Sequence, residues 1–305
     1  FNIGRNKNKI DKLASGEKEM VLSSGWAGSQ LLNSDDYRAY VGGTTGLIYG
    51  FVNDGFYTVD DFKPFDSKSR TWTLKDGVVN SSPLSGDPRP GNAKFKKLTP
   101  VDENSANPYT LTDDDRTVIG NTTPKFSGGF GLNATFKGFD VSAFFNFMYD
   151  FDVFNANKVM MTTWASNNYN NFSMDISAAK RWRNFDDMGN EIRYSPEILA
   201  EFNKNATMWN PTSIGRPIAM SYAVEDGSFL RLNTATIGYT LPRVWTNQVG
   251  LSRVRFYASG YNLFTITGYS GYDPEVDIAT GLTPNIDNNR YPRSRTYTFG
   301  VQLTF

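Results

Sequence analysis

The chain has 305 residues with 31 basic and 31 acidic side chains, so its net charge is zero and it lacks the strongly basic balance of a nucleic-acid-binding surface. It contains no Cys and no His, which removes disulfides, thiol chemistry and the commonest general base and metal ligand. Aromatic residues are plentiful, with 23 Phe, 16 Tyr and 6 Trp, yet the mean hydropathy is negative and no run approaches the roughly 18 apolar residues of a membrane helix.

The chain opens on alternation. Phe1-Asn-Ile-Gly-Arg5 runs directly into the polar turn Asn6-Lys-Asn-Lys9 without a start Met or an apolar leader, so it is expected to begin inside a strand of something longer. A spanning strand is predicted near Gly46 to Thr58, through Leu47, Tyr49, Phe51 and the Asn53-Asp54-Gly55 turn signal. A long polar connection follows, from about 59 to 124. Phe126, Gly128, Phe130, Leu132, Ala134 and Phe136 then form one alternating row, and Lys137-Gly138 supplies a tight turn. The row resumes in Phe139, Val141, Ala143, Phe145, Phe147 and Tyr149, so the two segments read as a long hairpin. After a second polar stretch near 151 to 227 come strands from Phe229 to Leu241 and from Arg253 to Phe264. Pro242 to Ser252 joins them, with room for one helical turn around Val244, Trp245 and Val249. A third polar stretch runs from about 265 to 295.

The last segment, Thr296 to Phe305, is the clearest. Tyr297, Phe299, Val301, Leu303 and Phe305 fall on one face, and Thr296, Thr298, Gly300, Gln302 and Thr304 on the other. A strand of roughly 9 to 11 residues crosses a bilayer, whereas soluble sandwich strands are usually shorter, about 5 to 6. An apolar row toward lipid opposite a polar row toward a lumen is the outer-membrane pattern. The predicted fold is therefore all-β, a transmembrane antiparallel β-barrel. The alternation of short turns and long loops places the stretches near 59–124, 151–227 and 265–295 outside the cell. By the same parity the segment from Asn6 to Thr45 falls on the periplasmic side. Seven strands are counted, so the first and last run the same way and cannot pair to close a barrel. Tyr149, Tyr239, Trp245, Tyr257, Tyr297 and Phe305 suit the aromatic girdle at the membrane interfaces.

Five runs then carry a resemblance. Gly46-Leu-Ile-Tyr-Gly-Phe-Val-Asn-Asp-Gly-Phe56 is one. Asp115-Arg-Thr-Val-Ile-Gly-Asn121 with Pro124-Lys-Phe126 and Phe136-Lys-Gly-Phe-Asp-Val-Ser-Ala-Phe144 is the second. Val224-Glu-Asp-Gly-Ser-Phe-Leu-Arg-Leu232 with Gly238-Tyr-Thr-Leu-Pro242, Ser259-Gly-Tyr-Asn-Leu-Phe264 with Gly271-Tyr-Asp-Pro-Glu275, and Tyr291-Pro-Arg-Ser-Arg-Thr-Tyr-Thr-Phe299 complete the set. In this order they resemble the SusC/RagA family of TonB-linked outer-membrane transporters.

The resemblance implies the C-terminal part of a 22-stranded barrel with an internal plug, the plug and the TonB-contacting segment lying outside this chain. It also implies a SusD-like surface lipoprotein as partner, contact with outer-membrane lipid, and import of oligomeric nutrients, glycan or peptide, into a Gram-negative, Bacteroidetes-like cell. The terminal strand, with Tyr297, Phe299, Val301, Leu303 and Phe305, resembles the signal read by the barrel-insertion machinery. A plug-free porin or a surface adhesin remains as an alternative built on the same strands.

Candidate site residues are few. Trp164, Tyr169, Trp182 and Trp209 lie in the second polar stretch beside Asn-rich sequence, where flat rings suit sugar faces or a partner surface and equally suit loop packing. Before Asp115 many members of the family carry a loop suited to calcium. Here Asp113 and Asp115 are the only candidate ligands, and three adjacent carboxylates without a Gly read more readily as a solvated turn. No other cofactor is expected. The adjacent pairs Asp186-Asp187 and Glu225-Asp226 do not by themselves make the two facing carboxyls of a glycosidase, so no enzyme is predicted.

Overall fold

A computed structural model describes residues 1–33, 35–163, 172–276 and 281–305. Its frame is a six-stranded antiparallel sheet of β1 (Asn2–Gly4), β2 (Phe126–Phe136), β3 (Phe139–Tyr149), β4 (Phe229–Thr240), β5 (Arg253–Thr267) and β6 (Thr296–Thr304), paired in that order. Lys137 and Gly138 both take positive φ, 47° and 87°, which is the geometry of a two-residue hairpin whose twist matches its strands. Gly138 is needed there for a second reason, because a Cβ would sit 2.8 Å from the Thr240 carbonyl. The other short connection makes the expected helical turn at Arg243–Thr246, followed by a 3₁₀ turn at Asn247–Val249.

Register sorts the side chains into two faces. Phe136, Phe139, Tyr239 and Phe256 lie across one row, with Val301 opposite Phe256. Ala134, Val141, Ile237, Ala258 and Phe299 lie across the next. One face is therefore apolar across five strands, and the other carries Ser, Thr, Asn and charged residues. Alternation is broken once in β4, where Asn233 is unpaired between Leu232 and Thr234, and β5 adjusts opposite it with Asn262 at φ 51°. The bulge keeps Leu230 and Leu232 on the apolar face while Arg231 stays on the polar one.

Three expectations are corrected. The segment from Gly46 to Thr58 is not a spanning strand: Leu47–Gly50 and Asn53–Phe56 belong to two different small sheets, and all four residues of Leu47–Gly50 are buried. Gly50 passes so close to another segment that a Cβ would lie 2.2 Å from the Ala219 carbonyl. The long sheet consequently has six strands, not seven, and β1 and β6 run in opposite directions. Finally, β1 pairs Gly4 with Ser127 at the start of β2, so residues after Arg5 leave the sheet on the side of the long connections. The segment from Asn6 to Thr45 sits there too, not at the end of the short turns.

The long connections fold together into one body. Glu19–Leu22, Tyr37–Tyr40, Leu47–Gly50 and Thr117–Asn121 form a four-stranded sheet, while Val224–Asp226, Asp152–Asn155 and Ile286–Asp287 form a three-stranded one. Their shared core gathers Trp26, Tyr37, Phe51, Phe95, Phe154, Trp209 and Met220 from distant parts of the sequence. A smaller cluster of Phe151, Val153, Phe229, Tyr269 and Val276 seals the body to the rim of the sheet. No helix among the described residues is long and apolar enough to cross a membrane.

Candidate functional site

On the polar face near the short turns, Asp140 of β3 and Arg255 of β5 reach across β4. Arg255 Nε donates to Asp140 Oδ1 at 2.9 Å, and a second guanidinium nitrogen contacts Oδ2. The strand between them contributes Gly238, where a Cβ would fall 2.5 Å from Arg255 Nη2, so glycine opens the path for the pair. Thr236 and Ser259 share a hydrogen bond of 2.8 Å further along. This is a wall of polar groups that satisfy one another.

At the opposite end, residues from three of the recognisable runs meet. Arg231 of β4 is 2% exposed and places Nη2 2.5 Å from Asp273 Oδ1 and Nη1 3.5 Å from Glu275 Oε2. Arg293 closes the cluster at 2.9 Å from Glu275 Oε1 and 3.8 Å from Asp273 Oδ2. Two positive and two negative groups thereby share one site, buried except at the half-exposed Arg293, and each desolvated charge faces an opposite one. Beside it, Glu225 accepts from the amide and hydroxyl of Ser270 and pairs with Lys158 at 3.2 Å. Burial alone would raise the Glu225 pKa, but these donors and the ammonium together hold it below its ordinary value. Tyr269 donates to Asp287 at 2.7 Å, and burial together with that carboxylate pushes its hydroxyl pKa well up. The segment after β5 is thus pinned to the sheet and to Asp152–Asn155 by charge. Sequence reading singled out none of these roles, although Arg231, Asp273, Glu275 and Arg293 all lay inside the quoted runs.

The adjacent carboxylates are similarly occupied. Asp226 accepts from Ser228, Asp187 pairs with Arg183 at 2.8 Å, and Asp186 organises a turn by accepting from the Asn190 amide and side chain.

No family model matches the chain. TonB-dependent receptor P3 of Formosa agariphila is 30% identical over 311 residues, an overlap that takes in 100% of this chain and 26% of that relative. TonB-dependent receptor SusC of Bacteroides thetaiotaomicron is 32% identical over 164 residues, covering 49% of this chain and 15% of SusC. A structure titled as the RagAB peptide importer in its "closed-closed" state superposes with a TM-score of 0.61 at 22% identity over 99% of this chain and 26% of the other. This chain is a portion of a SusC/RagA-type TonB-dependent receptor. It spans about a quarter of the length of the full-overlap relatives, and receptors of this type reside in the outer membrane of Bacteroidetes.

In such a receptor the apolar face of the sheet meets lipid and the polar face lines the interior. On the terminal strand Tyr297, Phe299, Val301, Leu303 and Phe305 form the apolar row and are all exposed, Phe299 80% so. Tyr149 and Trp245 are exposed at opposite ends of the sheet, as interfacial rings require, whereas Tyr257 lies on the polar face, in register with Gly238 and Asp140, and is not an interfacial ring.

The aromatic candidates of the body need correction. Trp182 and Trp209 are only 3% and 2% exposed, and they are packing residues. Trp209 stands edge-on to Tyr222 at 4.8 Å and donates to the Thr162 carbonyl at 3.3 Å; Trp182 packs edge-on to Phe56 and beneath Gly91. Trp164 and Tyr169 lie outside the described residues. The calcium candidates are also otherwise engaged. Asp115 is fully buried and accepts from the amides of Leu98, Thr99 and Thr112 at 2.8 to 2.9 Å and from the Thr99 hydroxyl at 2.7 Å, with the Lys97 ammonium at 3.3 Å. Burial would raise its pKa, but those donors outweigh it and hold the value at about 2. Asp113 Oδ1 accepts from Asn33 at 2.9 Å. With a cation already beside it and donors on both oxygens, Asp115 is a loop-closing carboxylate, the capping partner of Thr112.

Proposed function

We propose that the whole receptor is an energy-driven importer of oligomeric nutrients, glycan or peptide, coupled to TonB and covered by a SusD-like lipoprotein. The observation that supports it most is the match of the entire chain to a TonB-dependent receptor at 30% identity. On this reading the folded body faces outward, where the long connections of outer-membrane barrels lie, and the turns at Lys137 and Arg243 face the periplasm. Work done by an inner-membrane motor leaves the wall with no bond to break, only cargo to bind and release. Specificity then comes from many weak contacts.

Two experiments test this. Cells carrying the full receptor should lose uptake of labelled oligosaccharides and oligopeptides when an uncoupler collapses the energy supply; uptake at the normal rate would instead indicate an open pore, and cleavage by the purified protein an enzyme. A photo-cross-linking cysteine at Met188, which is 90% exposed on the body, should capture the lipoprotein in intact cells. Labelling by solvent and lipid alone would count against the partner.

A further inference from the structure

Two adjoining cavities lie in the folded body, away from every residue given a role above except Trp182, Arg183 and the Asp186 turn. The larger, of about 790 Å³, opens between the segments around Arg70, Arg89 and Arg216. The smaller, of about 440 Å³, shares with it a wall of Asn184, Arg193, Asn210 and Thr212. Together they form a trough lined by six arginines, Arg70, Arg89, Arg181, Arg183, Arg193 and Arg216, against the carboxylates of Asp87 and Asp186 alone. The chain as a whole is electrically balanced, so this is a local concentration of positive charge.

The charge is cancelled only in part. Arg183 pairs with Asp187 and Arg193 with Glu191. Three of the other four are fixed by neutral groups: Arg70 lies 5.3 Å from the Tyr194 ring centre, Arg181 donates to the Ile176 carbonyl at 2.9 Å, and Arg216 donates to the carbonyls of Ser29, Gln30 and Leu31. Among the described residues no carboxylate pairs with Arg70, Arg89, Arg181 or Arg216. The Asp186 carboxylate is spent on its own turn. Between the guanidinium groups the lining mixes amides and hydroxyls, from Asn92, Asn184, Asn210, Thr71 and Thr212, with aromatic and aliphatic side chains such as Trp72, Tyr194, Ile176 and Phe185. The indole N–H of Trp182, in the wall of the smaller cavity, has no acceptor within the described protein.

Planar guanidinium groups match carboxylate and sulfate oxygens, while amides and hydroxyls match sugar hydroxyls. We propose that the trough binds an anionic oligosaccharide, a run of sugar units bearing carboxylate or sulfate groups. A peptide of acidic residues offers the same charges but has few hydroxyls for the Asn and Thr lining to meet. The proposal rests on the importer reading and names the cargo that the outer body selects.

The test uses the full-length receptor in detergent, with four probes: a hexameric oligogalacturonate, a sulfated galactan oligomer, neutral maltohexaose and hexaglutamate. Binding of either acidic saccharide is expected, weakening as salt is raised, and stronger than binding of maltohexaose or hexaglutamate. Arg70→Ala and Arg89→Ala remove exposed side chains with no ion partner, so both variants should fold, and each should lower that affinity by about three- to tenfold. The proposal is overturned if neither acidic saccharide binds, if maltohexaose or hexaglutamate binds as tightly, or if the double variant binds unchanged. Uptake separates the two claims: loss with an uncoupler but indifference to both substitutions sinks the trough alone. Uptake that ignores the uncoupler sinks the importer and leaves the binding result standing.

Discussion

Arg231→Ala should loosen the segment between β5 and β6 while leaving the sheet intact. The guanidinium is 2% exposed and meets Asp273 and Glu275, which are themselves 11% and 10% exposed at the side chain. Removing one partner from a buried charge pair costs about 3 to 5 kcal/mol. Arg293 remains within 3.8 Å of both carboxylates but is 43% exposed, so it offsets part of the loss, and the lower end, about 3 kcal/mol, is the reasonable figure here. The cost falls on local opening, because this cluster ties residues 268–295 to β4, whereas β2 to β6 hold each other through long ladders. An opening made easier by about 3 kcal/mol raises the open population on the order of a hundredfold. Limited proteolysis of the receptor in native outer membranes reads that population, with cleavage expected between Thr267 and Thr296 and an unchanged heat-modifiable barrel band. Asp273→Ala in the same background should add less than its cost alone, by about 1 to 3 kcal/mol of coupling. Equal protease resistance in wild type and variant, or strictly additive costs, would refute the reasoning.

Other outcomes follow from the same geometry. Asp115, held at about 2 against an ordinary 3.8, contributes stability that is complete above the ordinary value and lost as pH falls from about 4 to 2, on the order of 2 kcal/mol. Hydrogen-exchange protection of the Leu98 and Thr99 amides should fall across that window, and Asp115→Asn should abolish the pH dependence; protection flat with pH in the wild type would contradict the assignment. Trp209→Ala should destabilise the outer body by about 3 to 5 kcal/mol through its lost packing, seen as protease sensitivity at 37 °C. A stable body with reduced uptake would return Trp209 to the ligand contacts. Phe299→Arg puts a charge midway along the lipid-facing row at about 2 to 4 kcal/mol, lowering the yield of heat-modifiable folded barrel, while Thr298→Arg on the polar face should be tolerated. Equal yields from the two would mean that the faces are misassigned.

The long strands were legible in the sequence because period-two alternation over 11 residues, closed by a Lys-Gly turn, has few other interpretations; Phe126–Phe136 and Phe139–Tyr149 fall on the expected residues. Alternation does not say what medium lies beyond each face. That is why Leu47–Gly50, a short strand buried on both sides, reads like the start of a spanning one. Nor does polar composition reveal a core assembled from afar. Trp26 lies 5.5 Å from Phe154 by ring centres, and Phe51 bridges to Met220, so no local window contains both partners of either contact. The place of the tryptophans in a polar stretch left packing and ligand contact both open for the same reason: Trp182 and Trp209 are buried by residues distant in sequence.

Charged residues from four of the runs that carry the family resemblance lie where the folded body meets the sheet or in the body close to it. Asp115 ties down the chain entering the sheet, Arg231 and Glu225 lie where β4 begins, Asp273 and Glu275 follow β5, and Arg293 precedes β6. They form the seam between membrane sheet and outer body, where a wrong partner leaves a charge buried and unpaired. The arginines of the trough, by contrast, all lie between those runs. The family likeness thus rests largely on residues of the frame, whereas the proposed anion contact rests on residues outside the quoted runs.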